Sequence, residues 1–162
     1  MGCDMLVKLY NIPDDAVFAT ETALKSEGIY LKRAMAPDLH LIREFVEKNF
    51  SVGWADEATA GVLNHGCWLA VQEHEIVGFA CFEATAKDFF GPIGVLPSMR
   101  GKNVGKALLL KSLLSMKNLG YAYAIIGWTG PQEFYRKVCG AVPIEDSIPG
   151  SYHGMVKVDW SL

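Results

Sequence analysis

The spacing of apolar side chains changes several times along the chain, and each change marks a predicted element. Met5 to Tyr10 reads as a short strand, stopped by Asn11-Ile12-Pro13-Asp14-Asp15. Ala16 to Glu27 is compatible with a helix closing at Gly28, a residue suited to the position after a helix. Ile29 to Met35 alternates as a strand and meets Ala36-Pro37-Asp38. Leu39, Ile42, Phe45 and Val46 then recur with helical spacing up to Asn49. Ser51 to Gly66 has no clean period; it contains Trp54 and reads as a short helix at Asp56–Leu63.

Cys67–Gln72 and Ile76–Glu83 are strand-like runs separated by Glu73-His74-Glu75, a spacing that suits an antiparallel hairpin. Phe89–Leu96 is a further strand, interrupted by Gly91, Pro92 and Gly94. Such residues inside a strand mark a bulge or a close approach to the backbone. Pro97 to Asn103 is a turn, Val104–Asn118 a helix, and Tyr121–Trp128 an apolar strand buried on both faces. A short helix follows Thr129-Gly130-Pro131 up to about Val138. Gly140-Ala141-Val142 enters another strand, and Gly154–Trp160 reads as the last. Neither an internal repeat nor a linker breaks this order, which predicts one mixed α/β domain around a single sheet.

Composition narrows the function classes. The 162 residues are 51% hydrophobic and 20% charged, with 15 Lys+Arg against 18 Asp+Glu, a net charge of −3. A broad phosphate-backbone binder carries a basic excess, so no nucleic-acid partner is expected. No run reaches the apolar length of a membrane span. Met1 to Leu6 lacks the layout of a secretory leader, and the four cysteines are scattered without a Cys-x-x-Cys pair. Reduced thiols and a cytoplasmic location are the expectation. His40, His65, His74 and His153 show no metal-ligand spacing, so no metal is expected either.

Against that acidic average, Arg100-Gly101-Lys102-Asn103-Val104-Gly105-Lys106 collects cations and glycines where a strand turns into a helix. A helix N-terminus exposes unpaired amides and a partial positive charge, which together suit a pyrophosphate. The run is not a Walker loop, since Arg100 stands five before Gly105 and Ala107 follows Lys106. Nor does it contain Gly-x-Gly-x-x-Gly.

This loop resembles the acetyl-CoA loop of the Gcn5-related N-acetyltransferase (GNAT) family, Arg/Gln-x-x-Gly-x-Gly/Ala at the start of the central helix. Arg100 and Gly105 match, Gly101 and Lys102 flank them, and Ile93-Gly94-Val95-Leu96-Pro97 looks like the approach strand. Asn103 replaces the first motif glycine; Asn tolerates the left-handed backbone better than most residues. Downstream, Gln132-Glu133-Phe134-Tyr135 through Gly140-Ala141 resembles the family's Phe-Tyr helix. Here Thr129 stands where Asn is frequent, and Ala141 replaces an aromatic residue. The resemblance spans about residues 29–142 and implies a mixed central sheet with splayed parallel strands flanked by helices. It divides the chain into an N-terminal extension, 1–28, and an acetyltransferase domain, 29–162. Met5–Tyr10 would then add an edge strand or pair with a second copy in a homodimer.

The resemblance also implies roles. Phe89–Leu96 and Tyr121–Trp128 would part to admit the pantetheine arm of acetyl-CoA against Ile93, Gly94 and Val95. The phosphates would meet Arg100, Gly101, Lys102, Asn103, Val104, Gly105 and Lys106, with Thr129 and Phe134 alongside. An amide near Val95 would polarise the thioester carbonyl, and Tyr135 would protonate the departing thiolate. Glu83 is the leading candidate to take the amine's proton, ahead of Asp88 and His65. Trp54, Phe90, Trp128 and Tyr152 are candidates to line the acceptor groove. The implied activity is acetyl transfer to a primary amine of a small molecule or peptide. A CoA-binding sensor with little catalysis and transfer to a non-amine acceptor stay open as alternatives.

Overall fold

Two residues with left-handed backbone, Glu73 (φ 50°) and His74 (φ 66°), close the hairpin expected at that point. Its strands are β3 (Cys67–Gln72) and β4 (Glu75–Phe82). The computed structural model describes residues 2–156. In chain order, those residues also form β1 (Met5–Lys8), α1 (Asp14–Ser26), β2 (Ile29–Arg33), α2 (Leu39–Asn49) and α3 (Val52–Leu63). After the hairpin come β5 (Phe89–Val95), α4 (Val104–Asn118), β6 (Tyr123–Ile126), α5 (Gln132–Cys139) and β7 (Val142–Pro143). Among the described residues no helix is long and apolar enough to cross a membrane.

The predicted elements are recovered with two instructive departures. α3 begins at Val52, four residues before the expected helix, because the Ser51 hydroxyl accepts the Trp54 N–H and caps it. Its small residues hide the helical period. Gly61 lies so close to β4 that a Cβ there would stand 2.9 Å from Cys81 Sγ. The second departure is β1. The expected edge strand lies inside the seven-stranded sheet, whose order is β2-β3-β4-β5-β6-β1-β7. It pairs antiparallel with β6 over Met5–Lys8 and with β7 at Met5 and Leu6, and Met5 and Val7 are fully buried. The last strand expected at Gly154–Trp160 falls mostly outside the described residues; 154–156 do not form a strand.

Helices cover both faces of the sheet. α1, α4 and α5 enclose the larger core, which includes Val17, Leu24, Leu108, Leu109, Leu113 and Phe90. α2 and α3 enclose the smaller one around Ile42, Val46, Ala58, Leu69, Phe79 and Cys81.

Just before β1, Asp4 ties three distant segments together. Its Oδ1 accepts the Trp128 N–H and the Tyr152 hydroxyl, both at 2.8 Å. The Asp4 N–H donates to Ser147 Oγ at 2.8 Å, and the Asp4 carbonyl accepts the Ile144 N–H at 2.8 Å. Asp4→Ala would leave a buried hydroxyl and an amide without their acceptor, a loss of about 1–3 kcal/mol for each group left unpaired. Thermal denaturation is expected to show Asp4→Ala clearly below the parent protein. Asp4→Asn, which keeps the Oδ1 acceptor, is expected to lie between them.

Candidate active site

β5 and β6 run parallel but pair only at Phe89–Ile125 and Phe90–Ile126. Beyond Phe90, β5 continues to Val95 with β4 on one side and, among the described residues, no strand on the other. The β4–β5 register slips between Ala80 and Phe82, opposite Gly91-Pro92. Pro92 has no N–H to give, and a bulge at such a point bends the strand away from its neighbour. Leu96 donates its N–H to Val77 across that ladder. Because pairing directions alternate along an antiparallel strand, the N–H groups of Ile93 and Val95 turn from β4 toward the open side. The sheet therefore forks, as expected, and offers a row of backbone donors and acceptors inside the fork.

The cationic loop follows the free end of β5. Asn103 adopts the left-handed conformation (φ 64°, ψ 18°) at the N-cap of α4, so it performs the turn expected of a glycine there. Gly101, with φ 79°, is the other residue whose backbone needs this freedom. Arg100, Lys102 and Lys106 are exposed, and none makes an ion pair among the described residues. Val104 sends its side chain into the core, leaving only its backbone to the loop. A Cβ on Gly105 would stand 3.7 Å from Val95 and 3.8 Å from the Phe134 ring, so loop, strand and α5 converge there.

α5 places Tyr135 behind the fork. The ring meets Phe134 edge-on at 5.2 Å between centroids and Phe90 at 6.5 Å, where β5 and β6 part. Burial, reinforced by the Cys139 thiol, pushes the Tyr135 phenol up to about 12. It therefore keeps its proton at neutral pH and can act as a donor.

On the opposite face, Phe50 lies over Gly94 so closely that a Cβ there would be 2.5 Å from the ring. Trp54 stacks on Phe50 at 5.4 Å, bringing the expected groove aromatic beside β5. Trp128 sits just past the end of β6 against Tyr152, with ring centroids 5.1 Å apart. Phe50 was not foreseen, because its role comes from meeting Gly94, distant in sequence.

Three expected site residues serve other purposes, and a fourth, Glu83, lies apart from the cationic loop. Phe90 is buried in the larger core, facing Tyr135 rather than a groove. Thr129 donates both its N–H and its hydroxyl to the Cys3 carbonyl at 2.8 Å, so it anchors the N-terminal segment instead of offering a free side chain to the fork. Tyr152 is buried with its hydroxyl spent on Asp4, which leaves it a support for Trp128. Glu83 is at the other end of β5 from the cationic loop. Its N–H donates to the Phe89 carbonyl, and its side chain accepts the Asp88 N–H at 3.2 Å.

Comparison with known proteins agrees with this geometry. Residues 64–138 match the acetyltransferase (GNAT) domain, a span that holds the β3–β4 hairpin, the fork, the cationic loop and Tyr135. Over that span the chain is similar to the GNAT acetyltransferases. Acetyl-CoA is the co-substrate of this family. Among solved structures, 88% of this chain superposes on a GCN5-related glucosamine N-acetyltransferase region of a fungal multi-domain GH3 beta-N-acetylglucosaminidase, with 15% identity and a TM-score of 0.70. A GCN5-related N-acetyltransferase from Sphaerobacter thermophilus also matches over 88%, at 20% identity and a TM-score of 0.66. The C-terminal domain of a putative lysylphosphatidylglycerol synthetase from Agrobacterium fabrum matches over 79%, at 11% identity and a TM-score of 0.53. The match takes in 20%, 48% and 46% of those three chains, respectively. Likeness at such identities establishes the GNAT fold. No curated protein matches the chain.

Glu83 opens onto a cavity of about 420 Å³, together with Asn64, Lys87, Leu119 and Tyr121. This cavity lies at the end of the GNAT sheet remote from the cations. Burial, with the Glu83 charge second, pushes Asp88 up from 3.8 to about 6. A carboxyl that binds its proton more tightly when folded adds stability below its unfolded value and loses it as pH rises through about 6. The melting temperature of Asp88→Asn is therefore expected to fall less between pH 4 and pH 7 than that of the parent protein. Neutralising the exposed loop cations should act differently. Arg100→Ala, Lys102→Ala and Lys106→Ala are each expected to weaken acetyl-CoA binding about two- to fivefold in calorimetry with the melting temperature of the free protein unchanged, as for surface charges at a helix N-terminus.

Proposed function

We propose that this domain transfers the acetyl group of acetyl-CoA directly to a primary amine of a small molecule or peptide. The observation that carries the proposal is the one-sided edge of β5 beyond Phe90, which leads from the cationic loop to Tyr135. Residues that fit acetyl-CoA are present along that edge. Arg100, Lys102 and Lys106 supply unpaired positive charge for the phosphates, with amides of the α4 N-terminus beside them. Ile93 and Val95 turn backbone groups into the fork to pair with the pantetheine amides. The Val95 N–H would then stabilise charge on the thioester oxygen.

In the transfer, the amine nitrogen forms a bond to the carbonyl carbon and the C–S bond breaks. Tyr135 gives its proton to the departing sulfur and regains one lost from nitrogen, so the products are an amide and a thiol. The raised phenol keeps the required proton in place throughout the neutral range. Among the described residues all four cysteines are free, which supports a reducing, cytoplasmic setting for the reaction.

Acetyl-CoA is expected to raise the melting temperature of the protein. Tyr135→Phe is expected to keep that rise and lower turnover by about 10²–10⁴, the usual contribution of a positioned general acid. Thiol release and product mass spectrometry against a panel of amines check both. A thermal shift without any acetylated amine would favour a CoA-binding module instead, and no shift at all would remove both readings.

A further inference from the structure

We propose that Glu57, on the sheet-facing side of α3, receives the ammonium group of the acceptor, and that this acceptor is a primary amine carried on a flat apolar body. The inference rests on the acetyl-transfer reading and deepens it. Trp54 and Glu57 stand one turn apart on α3 and therefore share a side of the helix. Trp54 is held over β5 by Phe50 and Gly94. On the other side of Phe89, Tyr152 lies against Gly127 and supports Trp128. The Cys67 hydrogen bond and burial do most to raise the Cys81 thiol, and burial and Asp4 do most to raise the Tyr152 phenol; the Glu57 charge lies near enough to add a smaller push to each. The carboxylate thus lies on the α3 face of the sheet, one turn from Trp54 and near Tyr152, while Tyr135 belongs to the core on the other face.

The hydrogen bonding of Glu57 leaves it half engaged. Oε1 accepts the Thr85 hydroxyl, while Oε2 has no partner among the described residues and is not sealed in the core. The groups facing it are Cys81 from β4, Thr85 from the β4–β5 loop and Tyr152 from the C-terminal segment, with Asp4 behind Tyr152. Among the described residues none of these groups is a cation, and Glu57 makes no ion pair. A partly buried carboxylate without a counter-ion is costly until a cation arrives. Its burial holds Glu57 above the usual carboxylate range, with Thr85 partly opposing.

Trp54 and Trp128 remain 36% and 37% exposed, so each keeps ring surface for a ligand. Aromatic faces beside a carboxylate favour a cation on an apolar or flat frame over a heavily hydroxylated one. In the reaction, Glu57 Oε2 takes one proton from the ammonium, breaking N–H and forming O–H. The freed nitrogen lone pair is then available to the thioester carbon, and Glu57 returns the proton to solvent.

The test uses the whole protein with CoA present and two probes of matched shape, 2-phenylethylamine and 2-phenylethanol. The parent protein is expected to bind the amine about tenfold or more tightly than the alcohol, as for a charge-assisted hydrogen bond to a carboxylate. Glu57→Gln should erase that preference, keep the acetyl-CoA thermal shift, raise KM for the amine and displace the acidic limb of kcat/KM. Glu57→Asp should recover part of the preference, which separates loss of the charge from loss of the fold. Trp54→Leu should weaken 2-phenylethylamine while leaving methylamine unchanged. An unaltered preference in Glu57→Gln, or no binding of 2-phenylethylamine to the parent protein, overturns the proposal. If acetylated amine forms at the parental rate in Glu57→Gln, Glu57 is excluded and acetyl transfer stands. Glu57-dependent amine binding without acetylated product would support this site and reject acetyl transfer.

Discussion

Beyond Phe90, the backbone of β5 has a strand partner on one side only among the described residues, and the candidate site depends on that asymmetry. β6 begins beside β5 but is committed elsewhere: it pairs with β5 at two positions and with β1 at four. The longer antiparallel ladder holds β6 against β1, so it cannot follow the bend that Gly91-Pro92 and the β4–β5 bulge put into β5. Peptide groups left without a partner inside a sheet carry a cost unless water or a ligand pairs with them. A fork of this kind is therefore suited to an extended chain of amides, and the cationic loop at its mouth would favour one that ends in phosphates.

The two faces of the fork then divide the chemistry. On the side of the larger core, α4 brings the cations and α5 brings a phenol whose burial preserves its proton. On the other side, α3 and the C-terminal segment bring aromatic surface and a carboxylate that has no counter-ion among the described residues. Asp4 couples these parts, because one carboxylate oxygen accepts from both the turn after β6 and the Tyr152 hydroxyl. The N-terminal segment consequently sets the positions of Trp128 and Tyr152.

Most of the element order was legible along the chain, since α4, β3, β4 and α2 each show an apolar period that needs no distant partner. The cationic loop was legible too, because its glycines, Asn103 and three cations are consecutive in sequence and act through their own backbone. What could not be read were contacts between segments far apart. Thr129 reads as a cofactor contact until Cys3 is found beside it, and Phe90 reads as a groove residue until the strand's facing direction is known. Glu83 stands next to the cofactor strand in sequence, and in space its backbone meets Phe89 at the end of β5 away from the cations.

By itself, then, the amino-acid sequence determined which segments become strands and helices and where positive charge gathers at a helix N-terminus. Those properties arise from side-chain period and local backbone preference, which act within a few residues. Only the tertiary structure decided that β1 lies inside the sheet, that β5 and β6 part after Phe90, and that Phe50 and Trp54 stack above Gly94. Strand pairing and side-chain neighbours join residues more than a hundred positions apart, as Asp4 does with Trp128 and Tyr152. Periodicity carries no information at that range.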